Sequence, residues 1–146
     1  MTKAELFTEY ASYHAEPRNR VCHAVGIPLI ILGMMSLAHV VRIGSIDLAI
    51  VAGVATLLYY AKIDPRGALI STVVFAILYV VAVRLPWQIG AAAFGIGWIF
   101  QLVGHRFEGT KPKFTENLLY LLIGPLYFFE EVFDRVLGVH GESNQS

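Results

Sequence analysis

Four runs of the chain, Ala24–Val41, Ile46–Ala61, Gly67–Val83 and Leu85–Gly104, are apolar almost throughout. Crossing a hydrocarbon core of ~30 Å takes about 20 mostly apolar residues as an α-helix, so these runs decide the fold. Of the 22 charged residues (11 basic, 11 acidic), six lie between Ala24 and Gly104: Arg42, Asp47, Lys62, Asp64, Arg66 and Arg84. Each sits at or just beyond the end of a run. Charged residues make up 15% of the chain and hydrophobic ones 56%, whereas a soluble domain carries about 25% charged residues. The chain lacks the polar groups to cover its own surface, which excludes intrinsic disorder and a soluble α/β enzyme. A net charge of zero argues against a nucleic-acid platform. A small β-barrel needs alternating polar and apolar residues, and these runs have none. The connections are so short that consecutive helices must be antiparallel neighbours. The expected fold is all-α: a polytopic membrane bundle of four transmembrane helices in one domain, residues 1–137, with a polar tail at 138–146.

Two flanking segments differ from the spans. Thr2 to Glu5 is a capping-box pattern, and Leu6, Phe7, Tyr10, Tyr13 and His14 follow at three- and four-residue steps. That predicts a short amphipathic helix on the membrane surface, ending near Pro17. Asn117 to Phe129 is uncharged but short and is interrupted by Gly124-Pro125. It reads as a re-entrant or interfacial helix that returns Glu130 and Glu131 to the side it left. Ala91, Ala93, Gly95 and Gly97 offer a small-residue face for close packing, and Trp87 and Tyr59-Tyr60 suit span ends. Glu5, Glu9 and Glu16 precede the first apolar run and no small-residue cleavage site follows it, so the N-terminal segment is expected to be retained. The single cysteine, Cys22, reads as a small buried side chain and excludes an intrachain disulfide or a cysteine-based metal site.

Four crossings return the chain to its starting side. His14 and His23 precede the first span and His105 follows the fourth, so all three are expected at one membrane face. Lys3, Arg18, Arg20, Lys62, Arg66, Arg106, Lys111 and Lys113 share that face, against Arg42 and Arg84 opposite. The bias makes the histidine face cytoplasmic. A bacterial cytoplasmic membrane and an endoplasmic reticulum fit equally. His39 falls at the far end of the first span, and His140 in the tail.

Neutral imidazole is a common metal ligand. His14 and His23 flank Pro17 and converge only through a bend at Glu16–Asn19. Five histidines are too few for a histidine-rich diiron centre, so a mononuclear or small site is the ceiling. From spacing alone, interfacial histidines bonded to backbone or headgroups are the simpler reading. No HExxH, GxSxG or phosphate loop is present.

The residues around the histidines change that balance. Tyr10 to Leu29, with His14, Asn19, His23 and Gly26-Ile27-Pro28, resembles the H-x4-N-x3-H…G-I-P motif of the membrane 2-hydroxy fatty-acid dioxygenases. Gln101 to Pro112, with Gly104-His105, Phe107-Glu108 and Pro112, is similar to that family's Q-x-x-G-H…F-E-x-x-x-P segment, and Asn117-Leu118 and Gly124 to Glu131 resemble its closing segment. Lys113-Phe114 departs from the family's usual Ala-Leu and leaves the histidines intact. The resemblance implies an Fe(II)-dependent, O₂-using membrane enzyme of fatty-acid α-oxidation, which shortens a long-chain 2-hydroxy acid by loss of C1. Carried over by position, the iron ligands are His14, His23 and His105. Glu108, three residues on, is then a fourth ligand or a partner for an imidazole N–H, or else a capping carboxylate. Asn19 fixes the turn or bonds a ligand. Arg18, Arg20 and Arg106 are candidate clamps for a substrate carboxylate. Two rival readings remain: a non-catalytic lipid-binding or scaffold protein with structural histidines, and a zinc-dependent membrane hydrolase. The spans carry no ionisable residue near the midplane, which argues against a transporter.

Overall fold

The computed structural model describes residues 2–138, so His140 and nearly all of the polar tail lie outside the described residues. It is helical almost throughout. The elements are α1 (Lys3–Ser12), α2 (Pro17–Ala38), a two-residue ladder of β1 (Arg42–Ile43) with β2 (Ile46–Asp47), α3 (Leu48–Ile63), α4 (Pro65–Ala82), α5 (Trp87–Glu108), a 3₁₀ turn at Lys113–Thr115, and α6 (Leu119–Val136). In the hairpin, Gly44 takes a positive φ of 61°, which a two-residue turn between antiparallel strands demands.

Three helices, α2, α4 and α5, are long and apolar enough to cross a membrane; α3 is apolar but shorter, at 16 residues. Their outward faces are apolar: Leu58, Leu69, Val73, Ile77, Ile96 and Ile99 are all exposed. Side chains of this kind are stable on the outside only against lipid or a partner, and the fold is consistent with an integral membrane protein.

The helices run past the apolar runs that mark them. α2 begins at Pro17, whose missing N–H suits the first helical turn, so His23 lies on α2 and not before it. α5 continues to Glu108, so His105 lies in its last turn. Loss of apolar character ends each run, while the backbone stays helical through Arg18, Arg20 and Arg106. α1 forms with its capping box closed, Thr2 and Glu5 exchanging backbone-to-side-chain bonds of 2.7 and 3.2 Å. α6 is longer than the thirteen-residue segment expected and passes through Pro125 to Val136.

α2 and α5 make the tightest contact in the molecule. A Cβ at Gly26 would stand 2.8 Å from the Gly97 carbonyl, and one at Gly33 would stand 2.6 Å from the Gly90 carbonyl. A Cβ at Gly104 would overlap Asn19 Oδ1. The seam is therefore Gly90, Gly97 and Gly104 against Gly26 and Gly33. Of the small residues singled out by sequence, only Gly97 lies on it; Gly95 faces open space.

α1 and α6 pair antiparallel across one end of the bundle. Phe7 meets Tyr127 edge-on, Tyr120 bonds to Glu9, and Lys3 reaches Glu130 and Asp64 at 3.0 and 2.8 Å. Arg66, in the first turn of α4, joins Glu130 and Asp134, and the Tyr60 hydroxyl donates to the Leu122 carbonyl. α6 thus brings Glu130 to the end where α1 starts and α3 gives way to α4. At the other end, buried Asp47 caps α3 through Ile50 N–H at 2.8 Å and accepts from His39 and Tyr79. His39 has its partner there, one bundle length from His14.

Candidate metal centre

His14 closes the turn between α1 and α2, His23 faces inward from the second turn of α2, and His105 faces it across the glycine seam. All three are buried. His14 Nε2 lies 3.2 Å from His23 Nε2, and His23 Nε2 lies 3.1 Å from His105 Nε2. One ligand atom from each falls within 4.8 Å of the others.

The opposite ring nitrogens explain why the Nε2 atoms point inward. His14 Nδ1 donates to the Tyr10 carbonyl at 2.8 Å, and His23 Nδ1 to the Asn19 carbonyl at 3.0 Å. In both cases the acceptor is the residue four positions earlier. A backbone acceptor at Nδ1 fixes the tautomer with its proton there and leaves Nε2 as a lone pair. Lone pairs this close repel unless a cation lies among them. His105 Nδ1 is buried without a partner among the described residues, so its second nitrogen is not committed. The donor set suits a divalent transition metal. Ring packing holds the rest: Tyr10 stacks on His14 at 4.1 Å and Phe128 on His23 at 5.5 Å.

Burial of His14 pulls its pKa from the ordinary 6.5 to about 4, against the opposing effect of its bond to Tyr10. The imidazole is therefore neutral and metal-ready at pH 7. The unfolded chain takes up this proton near pH 6.5, but the folded chain holds it off until about 4. Metal-free protein is expected to lose stability as the pH falls through that window. Melting temperatures in detergent check this, and a flat profile from pH 6.5 to 4 would contradict it.

Of the three roles open to Glu108, its hydrogen bonds fit the capping carboxylate. Its carboxylate accepts from Ala15 N–H at 3.1 Å, Glu16 N–H at 2.8 Å and Asn19 Nδ2 at 3.1 Å. It ties the α1–α2 turn, and with it His14, to the end of α5. Asn19 completes the tie by also donating to the Tyr13 carbonyl at 3.3 Å. Glu108→Ala frees three donors, and hydrogen bonds to a charged group contribute about 1.5–3 kcal/mol each. It is expected to lower the melting temperature and to weaken metal binding about 10–100-fold, read by competition with a chelator. Unaltered affinity would show that the turn holds without it.

The arginines are largely engaged elsewhere. Arg18 pairs with Glu16 at 3.0 Å and lies over the Phe107 ring, Arg20 pairs with Glu131, and Arg106 is exposed. Arg20 Nε is buried with no partner among the described residues, and its charge is felt at His14. Glu131 is taken up by Arg20 and Arg135, and Glu130 by Lys3 and Arg66. Sequence reading gave no role to Tyr10, Gln101 or Phe128. The four-residue step from Tyr10 to His14, repeated from Asn19 to His23 and from Gln101 to His105, was the available signal.

A cavity of about 320 Å³ opens from the three imidazoles between α2, α5 and α6. Ile27, Ile31, Met34, Trp98 and Leu122 line it, and Gln101 is one of its few polar walls. A second cavity of about 340 Å³ touches the other side of His23, among Pro28, Val74, Phe129 and Val132.

Membrane-length apolar helices around three buried histidines that could hold a metal ion, at the head of an apolar cavity, define the class: a helical bundle of membrane type with a candidate metal site. The comparisons narrow the class. A family model described as 2-hydroxy-palmitic acid dioxygenase Mpo1-like matches residues 1–61 and 68–136, a break that falls on the α3–α4 connection. The 2-hydroxy-palmitic acid dioxygenase MPO1 of Saccharomyces cerevisiae is 33% identical over 132 residues, covering 85% of this chain and 76% of the yeast protein. No solved structure matches. The chain belongs to the Mpo1-like family.

Proposed function

We propose that this chain is an Fe(II)-dependent dioxygenase that removes C1 from long-chain 2-hydroxy fatty acids, giving the acid one carbon shorter. The observation that carries the reading is the convergence of three buried Nε2 atoms at the mouth of an apolar cavity, in a chain of this family. His14, His23 and His105 hold the ion. When bound, Fe(II) supplies the one-electron chemistry that lets O₂ react with the acid. The chain's residues do the rest. Tyr10 and Asn19 carbonyls hold two imidazoles in the metal-binding tautomer. Apolar walls seat the acyl chain and keep water from the centre. Arg20, whose buried Nε has no partner among the described residues and whose charge is felt at His14, is the best placed of the cations to draw the substrate carboxylate inward; Arg18 and Arg106 contribute charge at the rim.

The single catalytic domain spans residues 1–137 and crosses the membrane four times. α3, at roughly 24 Å by helix rise, is the shortest crossing, and local thinning of the bilayer accommodates it. Lys3, Arg18, Arg20, Arg66 and Arg106 gather at the histidine end, which supports a cytoplasmic site by charge bias. The test is conversion of a 2-hydroxy fatty acid by purified protein with Fe(II) in air. Turnover is expected aerobically and none without O₂. A second reading, a zinc-dependent hydrolase, draws on the all-imidazole donor set, which catalytic zinc also uses; it predicts retained zinc and indifference to O₂.

A further inference from the structure

The cavity at the histidines has a neighbour further along α2. It follows α2 from His23 past Ile27 and Ile30 to Met34, about three turns and roughly 16 Å of helix rise. A further cavity of about 150 Å³ begins there and continues along α2 to Ala38, between α3, α4 and α6. Ile31, Met34, Leu121, Leu122 and Pro125 line both. The two spaces thus adjoin, with these shared residues as the waist between them, and the three imidazoles stand at the polar end of the first. Met34 is the adjustable part of the waist. It is half exposed whereas Ile31 is buried, and an unbranched thioether shifts more readily than a branched chain. Beyond the waist, a Cβ at Gly53 would meet nothing within 4 Å, so the far cavity has free volume where a side chain fits.

We infer that the two spaces join into one channel that measures the substrate: the acyl chain lies along α2 with its head at the histidines, and Met34 is a specificity-determining residue that sets how far it extends. An extended methylene chain advances slightly less per carbon than a helix does per residue. The first cavity therefore seats the part of a long chain nearest the head, and only longer chains must pass Met34 into the space beside Gly53. The inference rests on the reading of the chain as a 2-hydroxy acid dioxygenase.

The experiment compares kcat/KM across a homologous series of saturated 2-hydroxy acids for the wild type, Met34→Ala, Met34→Trp and Gly53→Phe. Discrimination by an apolar wall is worth about tenfold or more per blocked position. Met34→Trp and Gly53→Phe are expected to lower the ratio of longest to shortest acid by about that factor, and Met34→Ala to raise it. Gly53→Phe gives the result even if Trp is not tolerated at position 34. Binding is read separately, through quenching of Trp98 in the cavity wall by brominated acids in a Trp87→Phe background. Length profiles that superimpose on the wild type in every variant that turns over would overturn the role of Met34. Length-dependent quenching altered at Met34, with no turnover of any acid by the wild type, would leave the channel standing and sink the dioxygenase reading.

Discussion

Replacing any one of His14, His23 and His105 with Ala is expected to take bound metal from near one ion per chain to near zero and to abolish turnover. Each supplies one of three inward-facing Nε2 atoms, and among the described residues no other histidine, cysteine, aspartate or glutamate joins the group. Loss of an outer-shell partner costs 10–100-fold in affinity or activity; loss of a ligand from a set of three should cost more. The bundle should survive, because the space left lies at the head of an existing cavity and removes crowding between lone pairs. His39→Ala is the control. Its ring bonds to Asp47 at the opposite end, so it should loosen the hairpin without altering metal content. Metal analysis and a melting curve on each variant check this pair of outcomes. Full activity in all three variants at the centre would remove them from the mechanism.

Gly97→Leu is expected to be the most damaging single change outside the centre. A Cβ there would stand 2.7 Å from Ile30 Cγ1 and 2.8 Å from the Gly26 carbonyl. The second neighbour is backbone and cannot turn aside, so α2 and α5 must part. Overpacking typically costs 1–3 kcal/mol, occasionally more, and a backbone clash at the tightest seam belongs at the upper end. The functional consequence follows from geometry. His23 lies a turn from Gly26 and His105 two turns from Gly97, on opposite sides of the seam, so separation pulls their Nε2 atoms apart. Metal should be lost along with stability. Gly95→Leu, on the same helix but facing open space, should leave both intact. Equal behaviour of the two variants, in melting temperature and metal content, would show that the seam does not position the centre.

Much of this arrangement could be read from the residues, and the shortfalls have physical causes. The apolar runs located the helices because their outward faces are apolar, but not the helix ends, because polar residues continue a helix as freely as apolar ones. That is why His23 and His105 sit on α2 and α5 rather than in flanking loops. Thr2 and Glu5 were legible since a capping box is local. The Gly90–Gly97–Gly104 seam was not, although its seven-residue step is plain in the sequence; its meaning depends on Gly26 and Gly33 in another helix. The capping role of Glu108, one of three the sequence left open, could not be singled out for a related reason: its partners are backbone amides of Ala15 and Glu16, nearly the whole chain away, and amides carry no sequence signal. The length of α6 was underestimated because the uncharged run stops at Glu130, whereas the backbone stays helical to Val136 and passes through Pro125. A proline deprives a helix of one bond, but neighbours at its flanks, here Tyr60 on the Leu122 carbonyl, hold the backbone in place.

The most direct measurement is the metal content of wild-type protein reconstituted anaerobically with Fe(II) and freed of loosely held ions. Our account predicts close to one iron per chain, held at imidazole nitrogen and lost when His14, His23 or His105 becomes Ala. A wild-type chain that holds no iron, or that holds it undiminished after all three replacements, would contradict it.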